Sequence, residues 1–283
     1  MKDFPALPPL SDAPDELLAS GHLWILELVD GAWFRFGLDD AGIVRFGDER
    51  RVYGDPDSVP ESYRHAVRHV RENLDRDALR AAVPNVEDVV FFGVATTRRS
   101  IAYDWTRTPS FLGYDVWSAD AGEFRPPDAA EQIFDRLGLH PVNAFEKERN
   151  TRDFDPDGYE VPDSAWYDGP AKGVVVRNKR GKGGQRATLG HPDFREKTAV
   201  KPVEGDADGV AAELVPRSRF ERIAAELEAR GRPVTVDSVY ERALEAAFRE
   251  SHARLHHHES DVDPAAFRSA VAARTRAFLQ RRG

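Results

Sequence analysis

Apolar and polar residues alternate with a period of two over much of the first two hundred residues, which is the pattern of half-buried strands. We expect strands over residues 24–29, 32–36, 43–46, 89–92, 111–117, 173–177 and 185–189. Asp30-Gly31 is typical of a tight hairpin turn, and Asp39 to Gly42 form a second turn, so the first three strands are predicted to form an antiparallel meander. Helices are expected over residues 60–74, 75–82 and 127–138.

After about Pro202 the period of the apolar residues changes from two to 3.6. Phe220, Ile223 and Leu227 share one face of a predicted helix that ends at Gly231. Thr235 or Asp237 is expected to cap the next helix, and Asp263-Pro264 begins a third. The fold class is therefore predicted as α+β, with one domain over residues 1–202 and a helical domain over residues 203–283.

Composition excludes several classes of protein. The chain has 283 residues, a net charge of -9 and no cysteine, which excludes disulfide scaffolds, thiolate zinc sites and cysteine nucleophiles. No apolar run approaches the ~20 residues of a membrane helix, and the N-terminus lacks the apolar core of a signal peptide, so no membrane partner and a cytoplasmic location are expected. Only seven of the 40 basic residues are lysine, which suits either a salt-rich cytoplasm or a GC-rich genome.

An acidic chain needs a local basic groove to bind nucleic acid. Lys172 to Lys182 is a candidate, because it combines basic residues with glycines; it suits a phosphate site or a solvated hairpin tip equally well. The aromatic strand from Phe111 to Trp117 suits either a core or a surface on which a base stacks. A stripe of arginines near the C-terminus is most simply a solvated helix face: Arg268, Arg274, Arg276, Arg281 and Arg282.

Three consecutive histidines raise the question of a metal site. His256, His257 and His258 are followed by Glu259 and Asp261. Neighbouring side chains on a helix point about 100° apart, since a turn takes 3.6 residues, so three in a row cannot all face one ion. We therefore predict no metal site.

Five segments in order make the chain resemble the ATP-dependent RNA ligases, which are covalent nucleotidyltransferases. Residues 27–31 (ELVDG) stand where that family has E-K-x-D-G, and residues 90–94 (VFFGV) stand where a strand ends in F-G-E. Residues 111–116 match the F-D strand, residues 171–177 stand where E-G-V-V belongs, and residues 186–189 stand where the last motif has its lysine. The resemblance spans about residues 20–200 and implies an antiparallel-sheet adenylation core with a helical C-terminal domain.

The resemblance also implies a reaction. In that family a lysine attacks the α-phosphate of ATP with the help of Mg²⁺, and the AMP then moves to an RNA 5′-phosphate. Here, however, four polar positions differ from the family pattern: Leu28 stands at the nucleophile, Val94 and Lys172 replace glutamates, and Thr188 replaces the last lysine. Framework residues match the pattern, namely Asp30, Gly31, Gly93, Asp115 and Gly173.

Three hypotheses follow from the resemblance and its departures. The first is a protein of the RNA ligase fold that has lost adenylyl transfer, wholly or nearly so, and still binds ATP, AMP or RNA ends. The second is an active, ATP- and Mg²⁺-dependent ligase whose nucleophile has moved to Lys172. The third is a structural or partner-binding module without enzymatic activity.

Under the first hypothesis, the residues expected around the nucleotide are charged or aromatic, apart from Gly31. Tyr114 would stack on the base, Arg50 or Arg51 would meet a phosphate, and the remaining members would line the site: Glu27, Asp30, Gly31, Lys172, Arg177 and Lys179.

Overall fold

The computed structural model describes residues 1–55, 58–180, 185–194, 201–258, 260 and 262–282. The chain divides into two compact units: Met1–Thr96 with Ile101–Lys197, and Thr97–Ser100 with Thr198–Gly283. The domain division at residues 202 and 203 stays a prediction. Residues 181–184, at the expected hairpin tip, and the acidic neighbours Glu259 and Asp261 lie outside the described residues.

The first unit contains two antiparallel sheets. The strands are β1 (His22–Glu27), β2 (Ala32–Leu38), β3 (Val44–Asp48), β4 (Val52–Tyr53), β5 (Val89–Ala95), β6 (Phe111–Ser118), β7 (Glu123–Phe124), β8 (Ala144–Asn150), β9 (Gly173–Asn178) and β10 (Arg186–Gly190). One sheet has the order β10-β9-β1-β8, and the other has the order β4-β3-β2-β5-β6-β7. The antiparallel α+β class predicted from the sequence is confirmed.

The hairpin predicted at Asp30-Gly31 is wrong, because β1 and β2 belong to different sheets. β1 pairs with β8 and β9, whereas β2 pairs with β3 and β5. The chain crosses between the sheets here, and a Cβ on Gly31 would lie only 2.5 Å from the Ala95 carbonyl oxygen. The glycine is therefore required by close backbone approach and not by a two-residue turn.

β8 lies in a segment where the sequence predicted no strand. The residues of this edge strand are half-buried or exposed, and only Ala144 and Phe145 are apolar. An edge strand can be polar because one side faces solvent, so its apolar periodicity is weak.

The first unit contains helices as well as sheets, namely α1 (Glu16–Ala19), α2 (Glu61–Asn73), α3 (Arg76–Ala82) and α4 (Pro127–Arg136). Of these, α2 to α4 cover the outer face of the six-stranded sheet, whereas α1 contacts β9 of the other sheet. Phe34 and Phe36 of β2 pack in one buried cluster with residues of α2 and α4, while Trp33 packs in a different cluster with Tyr114. The period-two alternation of β2 therefore separates a helix-covered face from a face that turns toward the other sheet.

The second unit is helical. It contains α5 (Ala207–Leu214), α6 (Arg217–Ala229), α7 (Val236–Leu255) and α8 (Pro264–Gln280). Thr235, not Asp237, caps α7, in a reciprocal capping box with Ser238. Asp263 caps α8 by accepting from the Ala266 amide at 2.7 Å. Among the described residues no helix has the length and apolar character needed to cross a bilayer.

Candidate functional site

A cavity of about 530 Å³ opens between the two sheets of the first unit. The four-stranded sheet contributes Leu28, Val175, Arg186 and Thr188 to its wall, and the six-stranded sheet contributes Trp33, Phe92, Gly93, Tyr114 and Asp115. Glu49 and residues 4–7 complete the lining. Two of the residues predicted for the site, Leu28 and Tyr114, therefore line one cavity.

The N-terminal strap, residues 2–9, crosses this cavity. At one end the Arg35 guanidinium donates to the Lys2 carbonyl at 2.6 Å, and at the other the Thr188 amide donates to the Pro8 carbonyl at 2.8 Å. Between these anchors the Phe4 ring lies edge-on to Phe92 at 5.1 Å. The strap therefore reaches from β2 to β10 and forms part of the cavity wall.

A buried charge cluster lies on the side of the cavity formed by β6, β9 and β10. The Asp115 carboxylate pairs with Arg177 at 2.5 Å and, through its other oxygen, with Arg186. All three side chains are at most 6% exposed. Burial lowers the pKa of both guanidinium groups because it disfavours their charge. The carboxylate between them offsets that penalty, and the cluster carries one net positive charge.

This arrangement corrects the role expected for Arg177. The side chain is buried, paired with Asp115 and donates to the Arg125 carbonyl. It is not among the residues that line the cavity, although it was predicted to line the nucleotide site. Arg186, which the site prediction omitted, lines the cavity in its place.

Glu27, the last residue of β1, is fully buried. Its carboxylate accepts from the Ser164 hydroxyl at 2.6 Å, the Ala165 amide at 3.2 Å and the Asn143 amide at 3.2 Å. Burial is the largest influence and raises the pKa of Glu27, against the lowering effect of these donors. Glu27 therefore holds a buried network together and is absent from the cavity lining.

Asp30 and Lys172 form an ion pair beside this network. The Lys172 Nζ lies 2.6 Å from Asp30 Oδ1, and Asp30 Oδ2 accepts from the Ile101 amide at 3.0 Å. Asp30 is fully buried, whereas the Lys172 side chain is 31% exposed. Lys172 is not among the residues that line the cavity between the sheets, although its neighbour Gly173 accepts a hydrogen bond from the Leu28 amide at 2.9 Å.

Tyr114 is fixed by two hydrogen bonds to the segment that follows β1. Its hydroxyl donates to the Glu27 carbonyl at 2.5 Å and accepts from the Val29 amide at 3.0 Å. Its ring lies edge-on to Trp33 at 5.4 Å. Because the tyrosine is 6% exposed, Trp33 presents more open aromatic surface to the cavity than the predicted Tyr114.

The other predicted cations are not among the residues that line the cavity. Arg50 and Arg51 are exposed in the turn between β3 and β4, next to Glu49, and Arg51 pairs with Asp48 at 3.8 Å. Lys172 and Lys179 flank opposite ends of β9, about 23 Å apart at 3.3 Å per residue. Lys179 pairs with Glu148 at 2.6 Å and Asp128 at 3.0 Å.

The acidic residues do not fit a magnesium ion held by the protein alone. Mg²⁺ is bound through one or two carboxylates together with substrate phosphates. Asp115 faces two arginines, Asp30 faces Lys172, and Glu27 is saturated by hydrogen-bond donors. Glu49, the other carboxylate in the cavity lining, is an exposed residue and would be a single ligand. Among the described residues no group of three histidine, cysteine or acidic side chains could hold a metal ion.

Sequence reasoning missed Trp33, Phe92, Glu49, Arg186 and the strap. Trp33 and Phe92 lie in strands that were predicted. Trp33 comes two residues after Gly31 and Phe92 comes one residue before Gly93, and these positions could have indicated that both residues belong to the site. The apolar pair Phe4 and Leu7 within a proline-rich lead-in was a signal for the strap. Nothing in the sequence pointed to the pairing of Asp115 with two arginines.

Solved structures with a similar fold include RNA ligases. A variant of Naegleria gruberi RNA ligase with ATP and Mn gives a TM-score of 0.53 at 9% identity, covering 70% of this chain and 58% of that one. Another variant with AMP and Mn gives 0.51 at 10% identity, with the same coverage. An archaeal ATP-dependent RNA ligase aligns over 99% of this chain and 65% of its own, at 16% identity and a TM-score of 0.47.

No protein-family model matches the chain, and no curated protein sequence matches it. The chain spans 58% of the length of the Naegleria structures. At this identity the likeness establishes architecture and leaves activity open. The resemblance drawn from five sequence segments is thus confirmed at the level of the fold, and this chain has the nucleotidyltransferase fold found in RNA ligases.

Proposed function

We propose that this protein binds an adenine nucleotide or an RNA end in the cavity between its sheets without forming a covalent adenylate at Leu28. The observation that carries the proposal is the position of Leu28, which lines the cavity directly after β1, where the resemblance expects the lysine. Its backbone amide is held by the Gly173 carbonyl at 2.9 Å. An aliphatic side chain has no electron pair with which to attack a phosphorus atom.

The walls of the cavity support nucleotide binding. A volume of about 530 Å³ lies within the usual range for small-molecule sites, roughly 300–1,000 Å³. Trp33 and Tyr114 supply aromatic surface for a base, and Arg186 brings positive charge. A guanidinium is suited to phosphate because its planar donors can contact two oxygens at once.

A labelling experiment tests both parts of the proposal. The full chain is incubated with Mg²⁺ and ATP labelled at the α-phosphate, denatured, and analysed for retained label, while calorimetry measures reversible binding. We expect no retained label and saturable binding that Trp33→Leu weakens. Trp105→Leu is the matched control, since Trp105 packs in the same cluster without lining the cavity. Absence of ATP and RNA binding at every salt concentration would refute the proposal and favour the non-enzymatic module.

A second candidate function is adenylyl transfer from Lys172. Its support is the position of a part-exposed amine beside the buried carboxylate of Asp30, in the segment matching E-G-V-V. In that reaction the neutral amine would form a bond to the α-phosphorus, the bond to the bridging oxygen would break, and pyrophosphate would leave. The ion pair opposes this reaction, because the amine would first have to leave its hydrogen bond with Asp30.

Mass spectrometry of the labelled chain separates the two candidates. Label on Lys172 that disappears in Lys172→Arg, but persists in the control Lys147→Arg, would establish the relocated nucleophile. Lys147 is a fair control because it also pairs with an acid, Glu131 at 2.7 Å, at the protein surface. Unlabelled protein that still binds ATP would support the first candidate.

A further inference from the structure

A second cavity lies in the helical unit, where α6 begins and α8 ends. Its volume is about 170 Å³. It is lined by three arginines and by apolar residues: Arg217, Phe220, Arg274, Ala277, Phe278 and Arg281. Two of these arginines belong to the stripe noted in the sequence, and the third comes from another helix.

The three guanidinium groups outnumber the acids that meet them. Arg217 pairs with Glu221 at 2.8 Å, with both side chains largely exposed. Arg274 donates to the Val215 carbonyl at 3.3 Å, which adds no negative charge. Among the contacts of the described residues, Glu221 is the carboxylate that pairs with these three arginines. The cavity therefore carries about two net positive charges. On a chain with a net charge of -9 this is a local excess.

Two aromatic rings form the apolar part of the cavity. Phe220 and Phe278 are stacked at 5.4 Å with 21° between their planes. Phe220 is buried, whereas Phe278 is half-buried. Arginine beside an aromatic face is the combination that binds single-stranded nucleic acid, since one group meets the backbone and the other stacks on a base.

The beginning of α6 adds a further preference for an anion. Pro216 precedes the helix without a side-chain cap, the first turn contains no acidic residue, and Arg217 occupies its first position. A cation at this end is unfavourable because the helix dipole is positive there. A bound anion would offset both charges.

We infer that this cavity binds one phosphate of a single-stranded nucleic acid, with the adjoining base against Phe278. The small volume favours one group of a longer ligand, because sites for whole drug-sized molecules are roughly 300 Å³ or more. The inference goes beyond the proposed function of the sheet unit and does not depend on nucleotide binding there.

Fluorescence anisotropy of the full chain with a labelled oligouridylate tests the inference. The double variant Arg274→Gln with Arg281→Gln should bind about ten-fold more weakly, because loss of one charge-assisted phosphate contact weakens affinity by roughly that factor. Loss of one phosphate contact should also reduce the salt slope by about 0.7. The matched control is Arg222→Gln with Arg276→Gln, which removes equal charge from α6 and α8 outside the cavity.

Each outcome has a defined meaning. Equal binding by the two double variants would overturn the inference. Phe278→Leu should weaken the oligouridylate and leave competition by inorganic tripolyphosphate unchanged; no effect on the oligouridylate would overturn the base contact. The double variant Arg274→Gln with Arg281→Gln should still bind ATP. Failure of the arginine cavity is therefore distinguishable from failure of the proposed function.

Discussion

Asp115→Asn is expected to destabilise the sheet unit strongly. The substitution leaves Arg177 and Arg186 charged, at most 3% exposed and without the carboxylate between them. Removal of one partner from a buried ion pair costs about 3–5 kcal/mol of unfolding free energy. At about 2–4 °C per kcal/mol for a chain of this size, the melting temperature should fall by about 6–20 °C. Differential scanning calorimetry of the full chain measures the shift.

Two comparisons make this reasoning refutable. Asp120→Asn removes an exposed carboxylate in the turn after β6 and should change the melting temperature by less than about 2 °C. Adding Arg186→Met to Asp115→Asn should recover part of the loss, because it removes one uncompensated buried charge. A melting temperature for Asp115→Asn equal to that of the Asp120 control would refute the account of the cluster.

Three further predictions concern pH and the strap. Burial raises the pKa of Glu27, so the contribution of this carboxyl group to stability falls as pH rises through the raised pKa. The difference in melting temperature between Glu27→Gln and the parent should therefore shift in favour of Glu27→Gln between pH 5 and pH 8. Burial, with His256 and Arg99 nearby, lowers the pKa of His252 to about 4. The free energy of unfolding should therefore decrease as pH falls from 6.5, by about 2 kcal/mol at pH 5. Urea unfolding of His252→Gln should not show this decrease. Phe4→Ala removes the edge-on contact with Phe92 and should increase acrylamide quenching of tryptophan fluorescence.

Each of these three predictions has a result that would contradict it. A constant gap between Glu27→Gln and the parent across that pH range would mean that Glu27 titrates alike in the folded and unfolded states. The same loss of stability at pH 5 in parent and His252→Gln would assign it to other groups. For the strap, Pro5→Ala is the control that keeps the Phe4 ring in place. Equal quenching in the two variants would show that Phe4 does not hold the strap closed.

Local patterns in the sequence were sufficient for elements whose stability is local. Of the helices described in the second unit, α6, α7 and α8 were predicted, α6 from the spacing of Phe220, Ile223 and Leu227, and the caps of α7 and α8 from Thr235 and Asp263. The short helix α5 was not predicted. The strands that became β2, β5, β6 and β9 were also predicted, because their apolar residues are buried on sheet faces. Periodicity records burial, so it finds elements that bury much apolar surface.

Partners distant along the chain were not predictable in the same way. The turn at Asp30-Gly31 has the composition of a hairpin, yet the pairing of β1 with β9 places the two flanking strands in separate sheets. Arg177 looked like a cation available to a ligand, but its charge is matched by Asp115, 62 positions earlier in the chain. Such pairings depend on strand register, and one sequence carries little record of register between strands far apart.

The strap gives the cavity a built-in reporter position. The chain contains no cysteine, so a single cysteine at the exposed Ala6 would be its unique thiol and would take one label without background. Phe4, two residues away, lies 5.9 Å from the Trp33 ring, which is close enough for a quenching label on the strap to sense that indole. Ligand entry could then be followed as a change in light emission, in an otherwise unmodified protein and without a labelled ligand.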